Sequence, residues 1–171
     1  MFLAPAVAFS DFILAIHILA VVIGFGVVFA FPIMLSTATR LDPGVLPGLL
    51  RARQRAGRYL VNPGLLVLLL AGIYLATDED QWKSFYVQWG VAAVIVIGAL
   101  EGSLMNPRSG RLAGVAERDL AATGVAAGGQ RVSAQWSSEY VRGQRLLSIG
   151  GWLIAVIVVI TVFLMATHAG R

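Results

Sequence analysis

Four stretches of this chain stay apolar long enough to cross the hydrocarbon core of a bilayer, which takes roughly 20 residues of helix. They run approximately from Phe12 to Leu35, Leu60 to Ala76, Phe85 to Leu104 and Leu146 to Thr167. None alternates with the two-residue period of a barrel strand, and a backbone exposed to lipid must satisfy its own hydrogen bonds, so each is expected to be an α-helix. Composition agrees: 58% of the 171 residues are hydrophobic and 13% charged, where a soluble domain carries about half and a quarter. The first run has no basic residue before it and continues past signal length, which predicts a retained span. With short links between neighbours, the expected fold is all-α: one polytopic transmembrane domain over residues 1–171, an antiparallel four-helix bundle.

The arginines set the expected orientation. Arg40, Arg51, Arg53, Arg55 and Arg58 follow the first span, and Arg108, Arg111, Arg118, Arg131, Arg142 and Arg145 follow the third. Both connections should be cytoplasmic. The link TDEDQWKS between spans two and three is acidic, so both termini should face outward from the cell membrane. Trp82, Tyr86 and Trp89 near that link, and Trp136 and Tyr140 before span four, are placed as interface aromatics.

The connections differ in kind. LLRARQRAGRYLV sets leucines against arginines at helical spacing, a basic amphipathic segment suited to the cytoplasmic headgroup layer or to docking a partner. The arginines lie between apolar runs, so membrane lipids with anionic headgroups are the expected partners and nucleic acid is not. The connection over approximately 106–136 is expected to be flexible, with a short helix around VAERDLAATG, a hinge at GVAAGGQ and a helix capped by Ser137 or Ser138 that runs on into span four. No internal repeat is evident.

Small residues should let the helices approach, because lipid supplies no hydrophobic drive between them. Gly98 and Gly102 in GALEG, with Gly24 on the first span, are the expected packing positions, within the bundle or at the seam of a homo-oligomer. Pro32 and Pro63 should bend or interrupt spans one and two, with Asn62 capping the helix that restarts.

Two titratable residues lie inside the spans. His17, six residues past Asp11, should sit about 9 Å below the outer boundary. A neutral imidazole there has a donor and an acceptor to satisfy, so it should face the bundle, at the level of Leu69 to Gly72 and of Thr161. It is either hydrogen-bonded to Thr161 or a carbonyl, or a ligand or proton-handling group. Glu101, near the cytoplasmic end of span three, needs a donor; Arg58, Asn62 and Arg145 are at similar depth. It is either a structural pair or a proton or cation site. The two residues lie near opposite faces and would mark two ends of a path.

HILAVVIGFG, residues 17–26, carries a resemblance. A first-helix histidine followed by small glycines is similar to bacterial predicted four-helix integral membrane proteins of uncharacterised function, the domain of unknown function 2269 type. More loosely it resembles the copper-resistance-D and membrane protoporphyrinogen-oxidase types. The looser resemblance implies a haem or metal bound by His17 as axial ligand, with His168 or Met165 as the second ligand. Elsewhere the chain has no cysteine, so disulfides, thiolate metal sites and thiol nucleophiles are excluded. Catalytic triads, phosphate loops and paired catalytic carboxylates are not found, and too few ligands remain for a copper or zinc site. The expected function is a small non-enzymatic membrane component that binds, scaffolds or conducts a proton or cation; the alternative is a haem-binding redox protein.

Overall fold

The computed structural model describes residues 8–123 and 135–168. Helix α1 spans Phe9–Leu41, and its start is tied by the Asp11 carboxylate, which accepts from the Ala8 N–H at 2.9 Å. Pro32 lies inside α1 without breaking it. After a short 3₁₀ turn at Pro43–Val45 come α2 (Leu46–Ala56) and α3 (Asn62–Asp78), then α4 (Phe85–Leu100), α5 (Asn106–Ala122) and α6 (Ser138–Thr167). The Ser137 hydroxyl accepts from the Tyr140 N–H at 3.2 Å and starts α6, which continues unbroken through span four. The hinge sequence GVAAGGQ and Arg131 lie outside the described residues.

The middle of the chain forms two long helical runs rather than a chain of separate helices. A π-helical turn at Gly57–Val61 joins α2 to α3, and another at Glu101–Met105 joins α4 to α5. The cause is visible in the sequence. Each π turn is followed by Asn-Pro, at Asn62-Pro63 and Asn106-Pro107, and the two copies lie 44 positions apart (57 to 101). Proline lacks the N–H that the carbonyl four residues earlier needs, and its ring crowds that carbonyl; a turn widened by one residue relieves the clash. The N–H of Asn62 then bonds to the Gly57 carbonyl and that of Asn106 to the Glu101 carbonyl. Asn62 therefore does not cap a restarted helix, as expected above; it lies within a continuous one. Likewise the connection expected to be flexible from residue 106 is helical as far as Ala122.

Side-chain contacts give the directions. Gly64 lies against Gly24 and Gly72 against His17, so α1 and α3 run oppositely; Gly150 meets Met105 and Gly90 meets Met165, so α6 runs against α4. At one end of the bundle Phe9 packs on Tyr74 and His168 on Tyr86; this is the hairpin end, holding the acidic 79–84 link. At the other, basic end, α2 and α5 extend beyond the apolar spans and pack on each other. The α2 stripe Leu46, Leu50, Arg53 is buried against a face of α5 that includes Ser109, Leu112 and Ala116. The apolar face that suited the headgroup layer is thus covered by protein. One core runs from Phe25, Val28 and Ile97 in the spans to Leu50, Leu112 and Tyr140 at the basic end. Tyr140 is fully buried and stacked on Trp136 at 4.2 Å, in this core and not at an interface. Exposed Ile18, Val22, Leu66, Ile95, Val159 and Phe163 present the outward apolar surface that a bilayer solvates.

Candidate functional site

The polar centre of the basic end follows from the α2 stripe. Leu46, Leu50, Arg53 and Gly57 recur at three- and four-residue intervals, which puts one arginine on an otherwise apolar helical face. That face packs on α5 and buries the guanidinium, which then needs an anion and donors' partners close by. Glu101 supplies the anion from the π turn. Arg53 Nη2 donates to Glu101 Oε1 at 3.0 Å, and Nη1 donates to Ser109 Oγ at 2.8 Å. The Ser109 hydroxyl donates in turn to the Met105 carbonyl at 2.8 Å, and the guanidinium stands over the Phe31 ring at 5.2 Å. The two charged side chains are 8% and 3% exposed. Glu101 is therefore held by Arg53, not by Arg58, Asn62 or Arg145, and Arg58 and Arg145 are exposed.

Beside the pair lies a cavity of about 20 Å³, lined by Val28, Phe31, Pro32, Arg53, Glu101 and Ser148 among others. That is room for one water molecule. Pro32 brings no N–H to the Val28 carbonyl, so this wall of the cavity carries an acceptor without its helical donor.

His17 is arranged differently. The ring is half-buried, stands beside the Leu68 backbone and lies against Gly72, where an added Cβ would come within 3.2 Å of Cε1. Its Nδ1 is buried with no hydrogen-bond partner. Thr161 is not that partner: its hydroxyl accepts from Trp89 Nε1 at 3.0 Å and donates to the Ile157 carbonyl at 2.8 Å. The other two candidate ligands are engaged with α4. His168 stands edge-on to Tyr86 at 5.5 Å, and Met165 packs against Gly90. Along α3, His17 at Gly72 and the Glu101 cavity at Val61 are separated by roughly 16 Å of helix. Buried Leu65, Leu68 and Ile97 occupy that interval.

A family described as "Predicted integral membrane protein (DUF2269)" matches residues 11–169. The chain belongs to this DUF2269 family. No curated protein and no solved structure matches it. The family description names a membrane protein and no activity, and four helical runs of this member are long and apolar enough to span. Among the described residues no group of three histidine, aspartate or glutamate side chains converges as metal ligands.

The glycines of this DUF2269 chain divide unevenly. Gly24 is buried and meets Gly64, whose added Cβ would lie 3.6 Å from the Gly24 Cα, so the close seam is between α1 and α3. Gly98 faces only the Leu65 side chain, at 3.9 Å. Gly102 is exposed, with nothing within 4 Å of its Cβ position, so it is not a packing position within the bundle. Beside the ion pair Gly57 lies beneath Asn106: a Cβ there would sit 2.9 Å from Asn106 Oδ1, an oxygen that is buried without a partner. The two Asn-Pro turns thus touch each other, next to the ion pair. Arg53, Ser109 and Asn106 are absent from the expected site; the sequence signals for them are the lone charge on the α2 stripe and the repeated Asn-Pro.

Proposed function

We propose that this DUF2269 protein is a non-enzymatic component of the cell membrane that works by binding or scaffolding, with both termini outward. The observation that carries the reading is the closed state of Glu101. Its charge is matched by Arg53 within a buried junction of α2, α5, α1 and α6, next to space for one water. A conducted cation would meet the Arg53 guanidinium on arrival, and a proton path to His17 would have to cross roughly 16 Å lined by leucine and isoleucine. The same features suit a rigid joint that holds the α2–α5 extension upright on the membrane part of the bundle.

The test is flux into liposomes. Wild-type protein is expected to pass protons and monovalent cations no faster than empty vesicles, and Glu101→Gln should change nothing. Flux in wild type that falls in Glu101→Gln or His17→Ala overturns the reading in favour of conduction. Haem ligation by His17 is the second reading, favoured by its unpaired Nδ1. A Soret band in protein purified after haem-precursor feeding, lost in His17→Ala, would establish it. The outward termini are favoured by the arginine-rich basic end. Because the chain has no cysteine, a single cysteine introduced in the 79–84 link should react with an impermeant maleimide from outside the cell; protection there reverses the orientation.

A further inference from the structure

We propose that the exposed arginines of the basic end form a belt that binds anionic phospholipid headgroups and fixes how deeply the bundle sits. Arg51, Arg53 and Arg118 are paired with Glu117, Glu101 and Glu139. Arg40, Arg55, Arg58, Arg111, Arg142 and Arg145 are exposed and, among the described residues, have no acidic partner.

Contacts between helices place these six at one height. Gly57 meets Asn106 and Gly110 meets Gln54; Gly150 meets Met105 and Gly143 meets Leu112; Gly151 meets Pro32, and Gln144 bonds to Thr39 at 3.4 Å. Transferred onto α5 through these contacts, Arg58 and Arg55 fall near residues 105–109, Arg145 near 110, and Arg40 and Arg142 near 112–113, with Arg111 on α5 itself. The belt is therefore about 11 Å thick, on four different helices. Toward the hairpin end its border is apolar and exposed: Ile33, Met34, Tyr59, Leu60, Ile149 and Trp152. Toward the opposite end the charges are mixed and paired: Arg118 with Glu139, and Glu117, which binds Arg51 at the belt's edge. Hydrocarbon, then unpaired cations, then mixed charge is the profile of a leaflet crossed from inside to outside, and the headgroup layer is on the order of 5–8 Å thick, within the reach of arginine side chains.

The occupant follows from shape and charge. A nucleic acid needs one continuous basic face open to water, whereas this belt goes round the bundle with hydrocarbon along one edge. Phosphodiester headgroups meet both conditions, and a guanidinium grips them through paired N–H donors. The inference rests on the chain's spanning a membrane and not on the reading of Glu101, so flux results leave it untouched.

The probe is the full-length protein in nanodiscs of phosphatidylcholine with 20–30% phosphatidylglycerol, on the order used to mimic an anionic leaflet, with bound lipid counted by native mass spectrometry after release. Wild type is expected to retain phosphatidylglycerol over phosphatidylcholine, with the preference falling as salt rises. Combined Arg55→Gln, Arg58→Gln, Arg142→Gln and Arg145→Gln should weaken that preference by about fivefold for each arginine removed. Arg118→Gln, beyond the belt, should leave it within twofold. Equal retention of the two lipids by wild type overturns the proposal, as does a preference lost through Arg118 instead of the belt. RNA that binds wild type in detergent and is not displaced by phosphatidylglycerol would assign the surface to a polymer and overturn it too.

Discussion

Glu101 and His17 are the one carboxylate and the one imidazole inside the apolar spans, and the fold treats them in opposite ways. Glu101 is closed in by Arg53, which Ser109 and the Phe31 ring hold in turn, with 2% of its surface exposed. His17 is half-buried and keeps one ring nitrogen unpaired. The difference is one of charge. An ionised carboxylate in a low-dielectric interior costs several kcal/mol unless it is paired and hydrogen-bonded, and here an arginine from α2 meets it at the π turn that Pro107 imposes. A neutral imidazole can lose one hydrogen bond for about 1–3 kcal/mol, and a half-buried edge lowers that further. The basic end is therefore built around its polar residue, and the hairpin end only accommodates one.

The largest effects are expected from removing the ion pair piecewise. Arg53→Leu or Glu101→Leu alone should lower unfolding stability by about 3–5 kcal/mol, because each strands a buried charge. The double variant Arg53→Leu/Glu101→Leu should recover most of that loss, as apolar replacements of buried pairs often do. Denaturant unfolding in mild detergent measures the cycle. Additive losses in the double variant would mean the two residues are not coupled, and the basic end would then have no polar centre to contrast with His17.

A smaller effect is expected next to the pair. Gly57→Ala puts a methyl group 2.9 Å from Asn106 Oδ1, so that side chain must shift, and overpacking of this kind costs about 1–3 kcal/mol. Because that oxygen has no partner to lose, Asn106→Ala should be mild alone and should restore Gly57→Ala. Failure of that rescue would place the strain elsewhere in the π turn. Ser109→Ala should cost about 1 kcal/mol, for one of the two hydrogen bonds that hold Arg53.

The spans were legible because apolar length is a local property, and the family match and the four long helical runs bear out an all-helical membrane protein. The site was less legible because it depends on how helices continue. With Pro63 as a restart, α2 is a separate segment near the headgroups, and its Arg53 belongs with the surface arginines. Once the π turn carries α2 straight into α3, Arg53 on the Leu46–Leu50 stripe falls beside Glu101. The same turn explains Gly102. Spacing alone puts Gly98 and Gly102 on one face, but the widened turn beginning at Glu101 directs the carboxylate inward and leaves Gly102 outside. Depth counting, by contrast, needs only the rise per residue, and it set His17 opposite the stretch ending at Gly72, where the ring lies.

The smallest effects belong to His17, and they decide whether its site is spare or occupied. Gly72→Ala brings a Cβ to 3.2 Å from the ring, but a half-buried side chain on the bundle edge can shift by the few tenths of an ångström required. The cost should stay below about 1 kcal/mol, well under that of Gly57→Ala. His17→Leu should be neutral or slightly stabilising, since it removes an unpaired buried nitrogen and adds apolar surface of similar volume. Thermal unfolding of the two variants beside wild type, in the same detergent, reads both. A His17→Leu loss as large as that of Glu101→Leu would mean the imidazole has a bound partner, and the contrast between a built centre and a tolerated one would give way to two built centres.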